Sequence, residues 1–274
     1  MLRALYSGVS GMRQFQLKLD VIGNNIANVN TVGYKKGRVL FQDILSQTVS
    51  GAGRPEEGVR GGTNPRQIGL GVTTGAIDTV FTPGSPMTTN VPTDLYINGD
   101  GFFVLRPSED GPVYLTRDGS FHVDSLGYLV NAQGLYVMGT GGLIQIDPAT
   151  YTSFTISPNG EVIGVLPDGT NEVIDTIQLA KIPNPAGLKK VGQSLYEVTP
   201  NAIAPDTAIE DYFTTPNNAE QGTGAVIAGQ LEMSNVDLTE EFTEMIISQR
   251  GFQANARTIT TSDEILQEVV NLKR

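Results

Sequence analysis

The chain has 274 residues, with 32 glycines, 15 prolines, one histidine, no cysteine and no tryptophan. Without cysteine there is no disulfide, no iron–sulfur cluster, no thiolate zinc site and no cysteine nucleophile. The formal charge is −11, which opposes binding to a phosphate backbone, so no nucleic-acid partner is expected.

Leu5, Val9, Met12, Leu19 and Ile26 recur at spacings of four, three and seven, and Phe15 and Ile22 widen the stripe. The pattern predicts an amphipathic helix from the N-terminus to about Asn28, ending where Asn30-Thr31-Val32-Gly33 brings turn chemistry. Arg13, Gln14, Gln16 and Lys18 interrupt the apolar run, so the segment does not read as a cleavable secretory signal. No window of about 18 apolar residues follows, so no membrane span is expected.

Residues 31–92 read as an extended, glycine-rich connecting region with short strands. Residues 93–230 read as an antiparallel β domain. Asp100-Gly101, Asp110-Gly111, Asp118-Gly119, Asn159-Gly160 and Asp168-Gly169 are turn signals of hairpin type. Between and beside them lie β-branched and aromatic runs, among them Leu95–Ile97, Phe102–Leu105, Val113–Thr116, Phe121–Val123 and Val162–Leu166.

From residue 231 the chain turns helical again. Leu238, Phe242, Met245, Phe252, Ile259, Leu266 and Val270 fall on a four–three ladder completed by Gln249, Ala256 and Asp263. Asp237 and Glu240 have capping-box spacing at its start. A helix over residues 236–272 is about 56 Å long at ~1.5 Å per residue, which outruns a small domain and points to a coiled coil or to packing between subunits. The fold class is therefore mainly β with terminal α: N-terminal (1–30) and C-terminal (231–274) helices pair, coiled-coil-like, with the β domain inserted between them. Residues 1–40 carry a net charge of +5 and residues 205–272 one of −10, which favours antiparallel pairing of the ends.

Candidate chemistry is sparse. His122 alternates with Phe121 and Val123 and reads as an exposed strand residue. Gly139-Thr140-Gly141-Gly142 lacks the Lys-Ser/Thr ending and the helix of a phosphate loop, and reads as a tight turn. Glu240 and Glu244 lie one turn apart on a solvated helix face. No enzyme activity, cofactor or metal is expected. The wide apolar stripes ask for more neighbours than one helix supplies. The assembly interface is accordingly assigned to Leu5, Val9, Met12, Phe15, Leu19, Ile22, Ile26, Leu238, Phe242, Met245, Phe252, Ile259, Leu266 and Val270. A monomeric β-rich binding module is the alternative from another class.

The run from Ser7-Gly8-Val9-Ser10-Gly11-Met12 through Asp20-Val21-Ile22-Gly23-Asn24-Asn25-Ile26-Ala27-Asn28 to Gly33-Tyr34-Lys35 resembles the bacterial flagellar rod and hook proteins. So do Leu231-Glu232-Met233-Ser234-Asn235-Val236-Asp237-Leu238, Gln249-Arg250 and Phe252-Gln253-Ala254-Asn255, and, in the middle, Asp94-Leu95-Tyr96-Ile97-Asn98-Gly99-Asp100-Gly101-Phe102. Gly61-Gly62-Thr63-Asn64-Pro65-Arg66 and the ending Glu264–Arg274 look most like short hook proteins of Bacillus-type bacteria, with a distal rod protein as the alternative. The resemblance implies a non-enzymatic subunit that leaves the cell through the flagellar type III export apparatus. It implies polymerisation into a helical tube and contact with distal rod, hook cap and hook–filament junction proteins. The implied place is the extracellular hook, a flexible joint that passes torque to the filament; for the alternative it is the rigid basal-body rod.

Overall fold

The computed structural model describes residues 2–55, 61–205, 207–219 and 221–272. Among them are two α-helices, one at each end, with strands between. The chain divides into two compact units. One holds residues 1–27, 37–79 and 237–274; the other holds residues 28–36 and 80–236. The stretch 31–92 is thus shared between the two.

In the helical unit, α1 spans Leu2–Ala27 and α2 spans Leu238–Asn271. Asp237 caps α2 with extended backbone, its side chain accepting from the amides of Thr239 and Glu240. Those donors have no partner within the helix, and the carboxylate also faces the positive end of the helix dipole. Asp237→Ala is expected to cost about 1 kcal/mol, measured as a lower midpoint of helix unfolding by circular dichroism.

The described residues between 37 and 79 include two antiparallel ribbons. Strand β1 (Gly37–Asp43) pairs with β4 (Val72–Thr79), in register from Gly37 opposite Thr79 to Asp43 opposite Val72, with a bulge at Leu40/Phe41. Strand β2 (Ser46–Ser50) pairs with β3 (Arg66–Gly69). All residues of β2 and β3 are exposed, and so are Leu45, Val49 and Ile68. A lone two-stranded ribbon is marginal in water, so these apolar side chains await cover.

In the second unit the described strands pair antiparallel, with two short 3-10 helices at Pro185–Gly187 and Ile209–Tyr212. Its main sheet runs Lys189–Gly192, Leu195–Glu197, Tyr114–Thr116, Phe102–Arg106, Tyr136–Gly139, Leu129–Asn131 and Phe121–Val123 in spatial order. A three-stranded meander follows, Ser153–Ile156, Glu161–Val165 and Asn171–Thr176. The strand Phe102–Arg106 is buried over its first four residues on both faces. Alternate side chains therefore enter two cores. Phe103 and Leu105 join Leu95, Phe121, Leu129 and Leu179, while Phe102 and Val104 join Leu115, Met138, Ala180 and Tyr196. Phe103 meets Phe121 edge to face, with ring centroids 5.2 Å apart.

Three of the five expected turns, at Asp110-Gly111, Asn159-Gly160 and Asp168-Gly169, join strands that pair with each other. The other two do not close hairpins. Leu95–Asn98, before Asp100-Gly101, pairs with Ala225–Ala228 instead. At Asp118-Gly119 the Leu95 amide donates to the Gly119 carbonyl, so this glycine marks a close crossing of chains. A local dipeptide reports a bend; it cannot report which distant strand takes the pairing. His122 is exposed beside buried Phe121, and Gly139 pairs with Gly142 across a tight turn, both as expected.

Candidate assembly interface

All fourteen candidate interface residues lie in the helical unit. The two helices run antiparallel. Gly8 lies against Thr258 and Ile259, Gly11 against Asn255, and Gly251 against the ring of Phe15. Lys18 pairs with Glu244, and the Asn25 side chain donates to Glu241 at 3.2 Å. Any Cβ added at Gly11 or Gly251 would fall within 2.9 Å or 2.6 Å of its neighbour across the seam, so glycine here sets how closely the helices approach.

On α2 the groups that meet α1 are Glu241, Glu244, Gly251, Asn255 and Thr258, with Ser248 fully buried in the same row. These follow a three–four ladder one residue ahead of the apolar ladder Phe242, Met245, Gln249, Phe252, Ala256, Ile259. One residue is about 100° of helix rotation. The intrachain seam therefore mixes small and polar groups with Phe15 and Ile259, while Phe242 of the apolar ladder stays exposed. This seam was missed from sequence, although its own ladder is readable there; apolar residues drew the attention.

α1 uses another face against the ribbon of β1 and β4. The Gln14 side chain accepts from the Thr74 hydroxyl, Ser10 Oγ accepts from the Val72 amide at 3.4 Å, and Phe15 meets Phe41 edge to face at 5.9 Å. Asn25 clasps the start of β1, donating to the Gly37 carbonyl at 2.9 Å and accepting from the Gly37 amide at 3.0 Å.

Of the candidates, Ile22 is buried. Leu5, Met12, Phe15, Leu19, Ile26, Met245, Phe252, Ile259 and Leu266 are half-buried. Val9, Leu238, Phe242 and Val270 are exposed. Tyr6, Ile246, Ile247, Ile265, Val269 and Leu272, outside the fourteen, are exposed as well. One chain thus buries Ser248 in the seam with no partner for its hydroxyl and leaves apolar side chains of both helices in water. No described helix is long and apolar enough to cross a membrane.

Three stretches of the chain match profiles of known protein families. Residues 5–35 match the profile described as flagella basal body rod protein. Residues 96–164 match that of the flagellar hook protein FlgE/F/G D1 domain, and residues 227–272 that of the flagellar basal body rod FlgEFG protein C-terminal. The chain is 50% identical over 275 aligned positions to the flagellar basal-body rod protein FlgG of Bacillus subtilis (strain 168), covering all of both chains. It is 38% identical over 279 positions to the FlgG of Borreliella burgdorferi, again over the whole of both. The flagellar hook protein FlgE of the same spirochaete aligns over 453 positions at 28% identity, with both chains fully covered. A shared terminal signature at both ends, a shared β segment between them and full-length identity of this order make the chain a member of the flagellar basal-body rod and hook protein family, whose members are structural subunits.

Proposed function

We propose that this protein is a distal rod subunit, a non-enzymatic building block that polymerises with copies of itself into the straight, rigid shaft of the flagellar basal body. The observation that carries the reading is the end-to-end match to rod proteins of the same length, 275 aligned positions at 50% identity. The hook relative needs 453 positions to align with this chain, so it holds a large amount of chain that has no counterpart here. The hook subunit, first choice from the sequence motifs, is the second reading; the full-length likeness to hook protein at 28% identity supports it.

In this proposal the exposed and half-buried members of the fourteen, joined by Tyr6, Ile246 and Ile247, form contacts between copies, and Ile22, buried within one chain, supports them from below. Other partners are the neighbouring axial proteins of the basal body and the flagellar export apparatus. A heterologous contact that does not close on itself produces an open helical polymer, and the offset apolar ladder provides such a contact. Isolated helices are marginal in water, so burial by neighbours supplies much of the stability of the assembled ends.

Electron microscopy of the purified full-length protein at rising concentration tests the reading. Straight, stiff hollow tubes are the expected result. Curved, supercoiled tubes would transfer the assignment to the hook, and compact monomers at every concentration, with or without a preformed rod or hook seed, would overturn self-assembly.

A further inference from the structure

At one place in the β unit five separate stretches meet around a charged cluster. Lys35, Arg117 and Glu232 are all buried, with side-chain exposures of 0%, 4% and 1%. Lys35 Nζ contacts Glu232 Oε1 at 2.5 Å and donates to the Thr82 carbonyl at 2.8 Å. Arg117 reaches the other carboxylate oxygen at 3.4 Å, donates to the Gly99 carbonyl at 3.0 Å and lies over the Phe102 ring. The Gly84 amide donates to Glu232 at 2.9 Å, and the Gly33 amide to the Glu232 carbonyl at 2.8 Å.

Two cations share one carboxylate. Tyr96 and Tyr196 lie close enough to feel these charges, and burial pushes both phenols upward, so neither supplies a second negative charge. Burial pulls the Lys35 ammonium down, Glu232 pulls it back up, and Arg117 adds to the lowering. In chain order the cations come first, at 35 and 117, and the anion last, at 232. Removing one member of a buried ion pair leaves a charge whose desolvation nothing offsets.

We propose that Glu232 is a closing latch. Lys35 and Arg117 repel each other and cannot be enclosed together until the strand Gln230–Glu232 returns, so the base of the β unit settles only once the chain through residue 232 is in place. Closure is thereby made conditional on the segments that flank both terminal helices, Gly33–Lys35 and Glu232–Asn235, and it follows sequence order. The inference concerns folding and holds whether the polymer is rod or hook.

Pulse-labelled amide exchange during refolding of the full chain, read by mass spectrometry, tests it. Residues 82–84 and 117 should gain protection together with 230–232 and after the strands Phe102–Arg106 and Tyr136–Gly139. Glu232→Gln keeps the shape and removes the charge. It should speed equilibrium exchange at residues 33–35 and 82–84 by about 100-fold or more. Adding Lys35→Met to Glu232→Gln should restore much of that protection, because only one cation then remains. Three results would each overturn the latch: protection of 82–84 before 230–232, wild-type exchange in Glu232→Gln, or a double variant no better protected than Glu232→Gln. If Glu232→Gln does not fold at all, the double variant decides alone, since a merely packed cluster gives no rescue.

Discussion

Ile246→Asp is expected to abolish tube formation while leaving the monomer as stable as before. Ile246 is 52% exposed on α2, next to Phe242 at 50%. Surface substitutions of this kind usually stay within about ±0.5 kcal/mol of the parent. In a polymer the same position is covered, and a carboxylate enclosed without a partner costs several kcal/mol. That cost recurs at every subunit added, so it acts on the whole tube rather than on one contact. Sedimentation and electron microscopy measure the polymer; thermal unfolding of the dilute chain measures the monomer. Wild-type tubes from the variant would show that this face of α2 is not an interface. Leu19→Asp and Phe252→Asp are weaker probes, since both positions are already half-buried within one chain.

The second large effect lies in the β unit. Phe103 is fully buried at the centre of its core, packed edge to face on Phe121 and paired through its backbone with Thr116 and Leu179. Phe103→Ala is expected to cost about 3–5 kcal/mol. Marginal stabilities of roughly 5–15 kcal/mol make this a large share of the total. Denaturant unfolding followed by tyrosine fluorescence should show a lower midpoint with an unchanged slope. A loss under about 1 kcal/mol would mean that the core collapses around the gap, and that the sheet is less close-packed than the side-chain burial indicates.

Much of this architecture is written locally. Helix α1 ends at Ala27, close to where periodicity and turn chemistry place it, and α2 begins after its cap Asp237, seven residues into the segment 231–274 read as helical, because Gln230–Glu232 pairs as a strand. The β runs at Phe102–Arg106 and Phe121–Val123 carry their own pattern of branched and aromatic residues. What local pattern does not carry is the choice among distant partners. Gly119 looks like any Asp-Gly hairpin, yet it serves a crossing with Leu95. The connecting region shows weak alternation, yet β1 and β4 pair across a long excursion of chain. Lys35, Arg117 and Glu232 look like solvated charges in sequence; only the fold buries them together.

The apolar ladders on both helices read as wider than one helix pair can cover. Within the chain Ser248, Gly251 and Asn255 lie in the contact, beside Phe15 and Ile259, and Phe242 stands outside it. Two competing ladders one residue apart are distinguished by what they face, and periodicity counts residues without seeing neighbours.

The register of the helix pair has one more consequence. Gly8 beside Thr258 and Gly11 beside Asn255 place the start of α1 near residue 264. The last two turns of α2 therefore run on for about 10 Å, at ~1.5 Å per residue, with no part of α1 alongside, and Val269, Val270 and Leu272 stand bare there. A neighbour set level with this chain brings a helix pair that stops at the same height; covering the protruding end requires one shifted along the axis. In the proposed polymer each subunit is a tongue that asks for a groove above it, which gives the growing structure a direction of its own.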